Sequence, residues 1–97
     1  MSQPYYETVD EEHIRRERAK ARSLRASRWW HTKLAAGRCH YCHRQVSKDE
    51  LSMDHIVPLA RGGRSTRGNV VPCCKECNTR KQLLTPVEWC EYLDSLE

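Results

Sequence analysis

The chain has no phenylalanine. Leucine, isoleucine and valine together number 16 among 97 residues. That share lies below the roughly 20% at which an apolar core becomes doubtful, and a domain this small hides only about 60–70% of its unfolded surface. No apolar run approaches the ~20 residues of a membrane helix, which excludes a spanning segment of that kind. Met1–Asp10 lacks the apolar stretch of a secretory signal. Internal repeats and low-complexity segments are also missing. The expectation is one small cytoplasmic domain with an arm, its cysteines reduced.

What the chain does have is six cysteines. With so little core, a metal staple or disulfides must supply part of the stability. Cys39 and Cys42 form one Cys-x2-Cys pair, and Cys74 and Cys77 form another. Two intervening residues let both sulfurs of a pair turn toward one ion, and two pairs close a tetrahedral thiolate site. A reduced compartment favours this structural zinc over disulfides. Four protein ligands leave zinc no open position, so its role is structural. Cys73 breaks the x2 spacing to Cys77 and is read, like Cys90, as a small buried apolar residue.

Charge is unevenly spread. Residues 1–38 hold nine Lys/Arg against five Asp/Glu, and residues 39–81 hold eight against four. The last 16 residues hold four acids and no Lys or Arg. A basic surface ahead of an acidic tail suits a polyanion, of which nucleic acid is the commonest.

The pattern of elements follows. Met1–Thr8 is expected to be disordered. Asp10–Ala36 reads as one helix, free of Pro and Gly and closed by Gly37 as a C-terminal cap. Its first half is charged nearly all round with little to bury. Leu24, Ala26, Trp29, Trp30 and Leu34 offer a docking face on its second half. Leu51–Val57 and Asn69–Pro72 read as two short strands around a glycine- and arginine-rich loop, Ala60–Gly68. Cys74–Leu84 reads as a helix. Thr85-Pro86-Val87-Glu88 is a capping box that opens a last helix to about Leu96, with Val87, Trp89, Cys90 and Leu93 on its buried side. Three units result: a basic helical arm over residues 1–37, a zinc-stapled module over 38–84, and a packing helix over 85–97.

The segment between the cysteine pairs and the residues just after the second pair carry the ingredients of phosphodiester hydrolysis. That reaction needs a base near neutral pH, and His55 is one. It needs a hard divalent cation on oxygen ligands, and Asp54 and Asn78 offer a carboxylate and an amide carbonyl. Cations to hold the phosphate backbone are present in Arg61, Arg64, Arg67, Arg80 and Lys81.

Cys39, Cys42, Asp54-His55-Ile56-Val57-Pro58-Leu59, Gly62-Gly63, Asn69, Cys74, Cys77-Asn78 and Lys81 together resemble the HNH endonuclease family, in its zinc-stapled branch. The resemblance covers a little under half of the chain. It implies a small α+β His-Me finger: a two-stranded antiparallel hairpin plus a helix with a four-cysteine zinc site, flanked by an N-terminal and a C-terminal helix. It also implies roles. His55 would be the general base and Asp54 a ligand of the catalytic Mg2+ or Mn2+. Asn69 would hold the loop and help orient the base. Asn78 would be the other ligand, at a position where the family has His or Asn. The partner implied is DNA, cut to a 5′-phosphate and a 3′-hydroxyl with low sequence specificity. A single site nicks one strand, and a homodimer would supply a second. Asp54 and His55 are neighbours, and neighbours on a regular strand face opposite ways. The strand must therefore twist, bulge or end there. Two other readings stand beside the nuclease: a zinc-ribbon module that only docks nucleic acid, and an accessory protein active through a partner.

Overall fold

The structure, a computed structural model, describes residues 10–96. The expectation for Met1–Thr8 lies outside them. Four α-helices surround one hairpin: α1 (Glu11–Arg25), α2 (Arg28–Ala35), β1 (Leu51–His55), β2 (Val70–Cys74), α3 (Lys75–Leu83) and α4 (Pro86–Ser95). Short 3-10 turns at Lys48–Glu50 and Leu59–Arg61 complete the order. This is the small α+β architecture expected from the sequence.

The single helix expected over residues 10–36 is two. Ser27 takes an extended backbone and caps α2, its Oγ accepting from the Trp30 N–H at 3.2 Å. The same hydroxyl donates to the Leu24 carbonyl at 2.6 Å. A serine that bonds the backbone on both sides competes with helical continuation, so the chain bends without Pro or Gly. Trp30 is buried and Trp29 half-buried, but Ala26 is exposed at the break and leaves the expected docking face. Gly37 follows α2 with φ 67° and carries the chain back toward the first cysteine pair.

β1 and β2 pair antiparallel, with Leu51 opposite Cys74 and His55 opposite Val70. Every residue of β2 is buried, whereas β1 buries only Leu51. The main core gathers Cys39, Leu51, Cys73, Cys74, Cys77 and Trp89. Four of these six are sulfur residues, which accounts for how a chain so poor in Leu, Ile and Val closes a core. Tyr41 meets Trp89 edge-on at 5.1 Å, and Tyr92 stacks on Trp89 at 5.7 Å.

The capping box of α4 forms as read: Thr85 accepts from Glu88 N–H at 3.2 Å, and Glu88 accepts from Thr85 N–H at 3.0 Å. The buried face of α4 is narrower than expected. Trp89 is buried and Leu93 partly so, but Val87 is 67% exposed and Cys90 is also exposed. Trp89, with Tyr92 and Leu93 beside it, makes the contact with the module, while Val87 and Cys90 turn outward. Cys73 is fully buried on β2, as expected. Burial pushes its thiol up to about 12, with the Asp54 charge adding to the shift.

Candidate active site and zinc centre

The sulfurs of Cys39, Cys42, Cys74 and Cys77 lie within 4.8 Å of one another. The Cys42 and Cys74 sulfurs are 3.8 Å apart. A tetrahedron of sulfurs at ~2.3 Å from zinc has an edge of about 3.8 Å, so the spacing fits the ion. Both pairs also fold as knuckles. Tyr41 N–H points to Cys39 Sγ at 3.4 Å, and Cys77 N–H points to Cys74 Sγ at 3.5 Å. His43 sits at φ 64° and turns the first knuckle back, so that Cys39 N–H reaches the Arg44 carbonyl. Burial raises the Cys42 thiol, but hydrogen bonds from Arg44 and the neighbouring thiols outweigh it and bring it to about 7. Cys42 is thus disposed to thiolate, the form that binds metal, whereas burial and the neighbouring thiols push Cys77 well up. The cluster is compatible with a zinc site, and Cys73 stands outside it.

The cluster's second pair opens α3: Cys74 is its N-cap and Cys77 its first buried residue. One turn on, α3 carries Asn78 and Lys81 toward the end of β1. Asn78, Lys81, Asp54, His55 and Arg61 line a single open cavity of about 710 Å3. β1 ends at His55. Asp54 and His55 point to different neighbours, as strand alternation requires, yet the cavity wraps the strand end and touches both.

Asp54 faces the zinc side. Its Oδ2 accepts from the Tyr41 hydroxyl at 2.6 Å and from the Lys81 ammonium at 2.7 Å. Lys81 also donates to the His55 carbonyl at 2.7 Å. Both carboxylate contacts fall on one oxygen, and among the described residues no donor reaches Oδ1. Lys81, expected among the phosphate-binding cations, is therefore a largely buried partner of the carboxylate, with side chains 14% and 13% exposed. Tyr41 was not singled out from the sequence. Its burial and the neighbouring Asp54 charge hold its phenol well above the usual range, so it stays a neutral donor.

His55 faces α1. Its Nε2 lies 2.9 Å from Ser65 Oγ. The Ser65 hydroxyl donates to the Glu17 carbonyl at 2.6 Å, and Ser65 N–H donates to the Glu17 carboxylate at 2.7 Å. Burial holds the His55 imidazole below its ordinary value. Asp54 opposes that shift, and Arg25 and Lys81 assist it. The ring is thus neutral near pH 7.

Asn69 works as a clamp on the loop. Val57 N–H donates to its Oδ1 at 2.8 Å, and its amide donates to the Arg64 carbonyl at 2.8 Å and the Val57 carbonyl at 3.1 Å. The side chain that meets the His55 ring is Ser65 instead.

Ser65 and Glu17 escaped the sequence reading. α1 has a buried stripe after all: Glu17 and Ala21 are buried, and His13 and Arg25 flank them at the same four-residue step. His13 Nε2 reaches the Gly63 carbonyl at 2.9 Å, and Arg25 Nη1 lies 3.9 Å from Met53 Sδ. A mostly polar stripe gives no apolar periodicity. The sole signal was one acid amid arginines.

The expected phosphate-binding arginines differ in availability. Arg61 and Arg64 are exposed, and among the described residues their side chains form no hydrogen bond or ion pair. Arg67 lies over the Trp29 ring at 5.3 Å. Arg80 lies over Tyr92 at 4.7 Å and pairs with Glu76 at 3.4 Å. No helix among the described residues is long and apolar enough to cross a membrane.

A family model described as HNH endonuclease matches residues 39–88, just over half of the chain. A curated relative, the CRISPR-associated endonuclease Cas9 of Corynebacterium diphtheriae, is 43% identical over 44 residues. That stretch is 44% of this chain and 4% of the relative, so the chain corresponds to only a small part of that protein's length.

Proposed function

The chain belongs to the HNH endonuclease family, and on that premise we propose that it is a metal-dependent endonuclease hydrolysing phosphodiester bonds in DNA, with His55 as general base. The observation that carries this reading is the hydrogen bond between His55 and Ser65. Ser65 has one hydroxyl proton, and the Glu17 carbonyl takes it at 2.6 Å. Toward His55 the serine therefore presents only a lone pair, so Nε2 must hold the ring proton and donate. Nδ1 is then the basic nitrogen of the neutral ring.

Asp54 and Asn78 offer the oxygen ligands a hard divalent cation prefers, and both line the cavity beside His55. Asp54 Oδ1 and the Asn78 carbonyl would hold Mg2+ or Mn2+. When bound, such an ion supplies charge neutralisation at the scissile phosphate. His55 Nδ1 accepts the proton of the attacking water. Tyr41 and Lys81 fix the Asp54 carboxylate from the side opposite its free oxygen. Arg61 and Arg64 hold the flanking backbone phosphates. These contacts carry no sequence information, so specificity is low. The four-cysteine centre holds zinc and anchors α3, and through it Asn78. The three units, residues 1–37, 38–84 and 85–97, then act as an arm, a nuclease module and a covering helix. One site per chain gives nicks before double cuts; a homodimer would add a second site.

The test is nicking of supercoiled plasmid by the zinc-loaded protein with Mn2+, Mg2+ or EDTA, beside His55→Ala. The expected result is metal-dependent nicking that His55→Ala abolishes. Nicking that survives His55→Ala overturns the assignment of the base. A second reading, a module that only docks nucleic acid, draws on the Lys81 ammonium already seated on Asp54. Mobility shift without cleavage under either metal would establish it.

A further inference from the structure

We propose that Ser65 and Glu17 are positioning residues for His55, which makes the first helix a working part of the site although it lies outside the family match at residues 39–88. The inference rests on His55 being the general base.

Glu17 is a carboxylate only 3% exposed, on a helix whose other acids lie at the surface. A buried charge is costly unless it is paired and hydrogen-bonded, and an apolar residue would fill the space at less cost. Both of its oxygens are engaged: Oε1 by Ser65 N–H at 2.7 Å, and Oε2 by the Lys20 ammonium at 3.2 Å. The backbone carbonyl of the same residue takes the Ser65 hydroxyl. One residue of α1 therefore grips Ser65 at two atoms. Ser65, 6% exposed, has no other freedom.

A second contact sets the height of this loop on the helix. His13, one turn earlier, reaches the Gly63 carbonyl at 2.9 Å. Gly63 is pressed so close to Val57 that a Cβ there would lie 1.8 Å from the Val57 carbonyl oxygen. The loop carrying Ser65 is thus held from below by residues 57–58 and from above by α1. Its position relative to His55 is set by both.

The consequence is chemical. An imidazole on a strand end can rotate about its ring bond and exchange its proton between nitrogens. A hydroxyl whose own proton is already committed blocks both: it accepts from Nε2 and offers nothing to donate. Nδ1 is then left with the lone pair, on a ring that lines the cavity. Without Ser65 the ring samples other orientations, and misplacement of about 1 Å costs roughly a hundredfold in rate.

The experiment combines a spectroscopic and a kinetic arm on the full zinc-loaded chain. Ring nitrogen shifts of His55, identified with His55→Gln, report which nitrogen is protonated in the neutral form. In wild type the neutral ring is expected as Nε2–H alone. In Ser65→Ala the Nδ1–H form should appear, and kcat for plasmid nicking should fall about 10- to 100-fold with KM unchanged. Ser65→Thr should restore both, because the hydroxyl returns. Should Ser65→Ala not fold, Ser65→Cys keeps the shape with a weak hydrogen-bonding group and should shift both readouts the same way. Ring shifts in folded Ser65→Ala and Ser65→Cys identical to wild type would overturn the proposal. So would undiminished kcat in both. If wild type does not nick under any metal, the nuclease reading fails by itself, and the ring shifts alone decide whether Ser65 sets the His55 proton.

Discussion

The Lys81 ammonium sits 2.7 Å from Asp54 Oδ2 and 2.7 Å from the His55 carbonyl, tying α3 to the last two residues of β1. Cation on the helix and carboxylate on the strand both line the cavity. The pair is mostly shielded from water, so its two charges depend on each other.

Removal of both charges should therefore cost less than the two single removals added together. Lys81→Met should destabilise by about 2–3 kcal/mol, just below the ~3–5 kcal/mol for breaking a fully buried pair, since some solvent still reaches it. Asp54→Asn combined with Lys81→Met should cost less than the sum of the single changes, with a coupling of at least about 0.5 kcal/mol. Urea denaturation of the four proteins in a cycle measures this; additive effects would contradict the dependence.

Metal removal should unfold the module. Four of the six main core residues are cysteine, and three of these face the cluster. Stripped of zinc by a strong chelator, the chain should lose its cooperative thermal transition and most of its near-ultraviolet signal from Trp89. Elemental analysis should give one zinc per chain, and Cys74→Ser should bind less. A transition unchanged after chelation would show that the sulfur cluster closes the core unaided.

Glu17 should make stability fall with acid. The hydrogen bond from Ser65 N–H holds its carboxyl below the ordinary value; burial opposes this, and Lys20 assists it. A carboxylate with a lowered folded value binds fewer protons folded than unfolded. Its contribution is complete above the unfolded value of 4.5 and is lost as pH falls through the lower folded value. Glu17→Gln should flatten this part of the profile. Urea midpoints measured from about pH 6 to 3 check the sign.

Gly63→Ala should be costly although the residue has no side chain to lose. The added Cβ meets backbone, 1.8 Å from the Val57 carbonyl oxygen and 2.8 Å from that of Pro58. Neither can swing aside as a side chain would. A loss of about 1–3 kcal/mol follows, in the range for overpacking. Thermal denaturation would show it as a lowered midpoint, whereas Gly68→Ala, with nothing within 4 Å of the new carbon, serves as the silent control.

Local signals in the sequence carried further than distant ones. The two Cys-x2-Cys pairs were legible because a knuckle is a local geometry and zinc chemistry limits the alternatives. The capping box before α4 was legible for the same reason: four consecutive residues satisfy one another. The break at Ser27 was less so, since a serine inside an Arg- and Ala-rich run caps or continues according to what the next turn buries. Val87 and Cys90 share the apolar character of Trp89, but Trp89, Tyr92 and Leu93 make the contact.

Legible from the sequence alone were the sulfur set, the two strands with the helix that follows them, and the candidates Asp54, His55, Asn69 and Asn78. Each rests on spacing, composition or resemblance within a 43-residue stretch. Only the tertiary structure decided that His55 meets Ser65, that Ser65 is gripped by Glu17 across 48 residues of chain, and that Lys81 turns to Asp54 rather than to solvent. The physical reason is that these are single polar contacts between distant segments. A hydrogen bond leaves no periodicity behind, and its partner is chosen by how the elements pack.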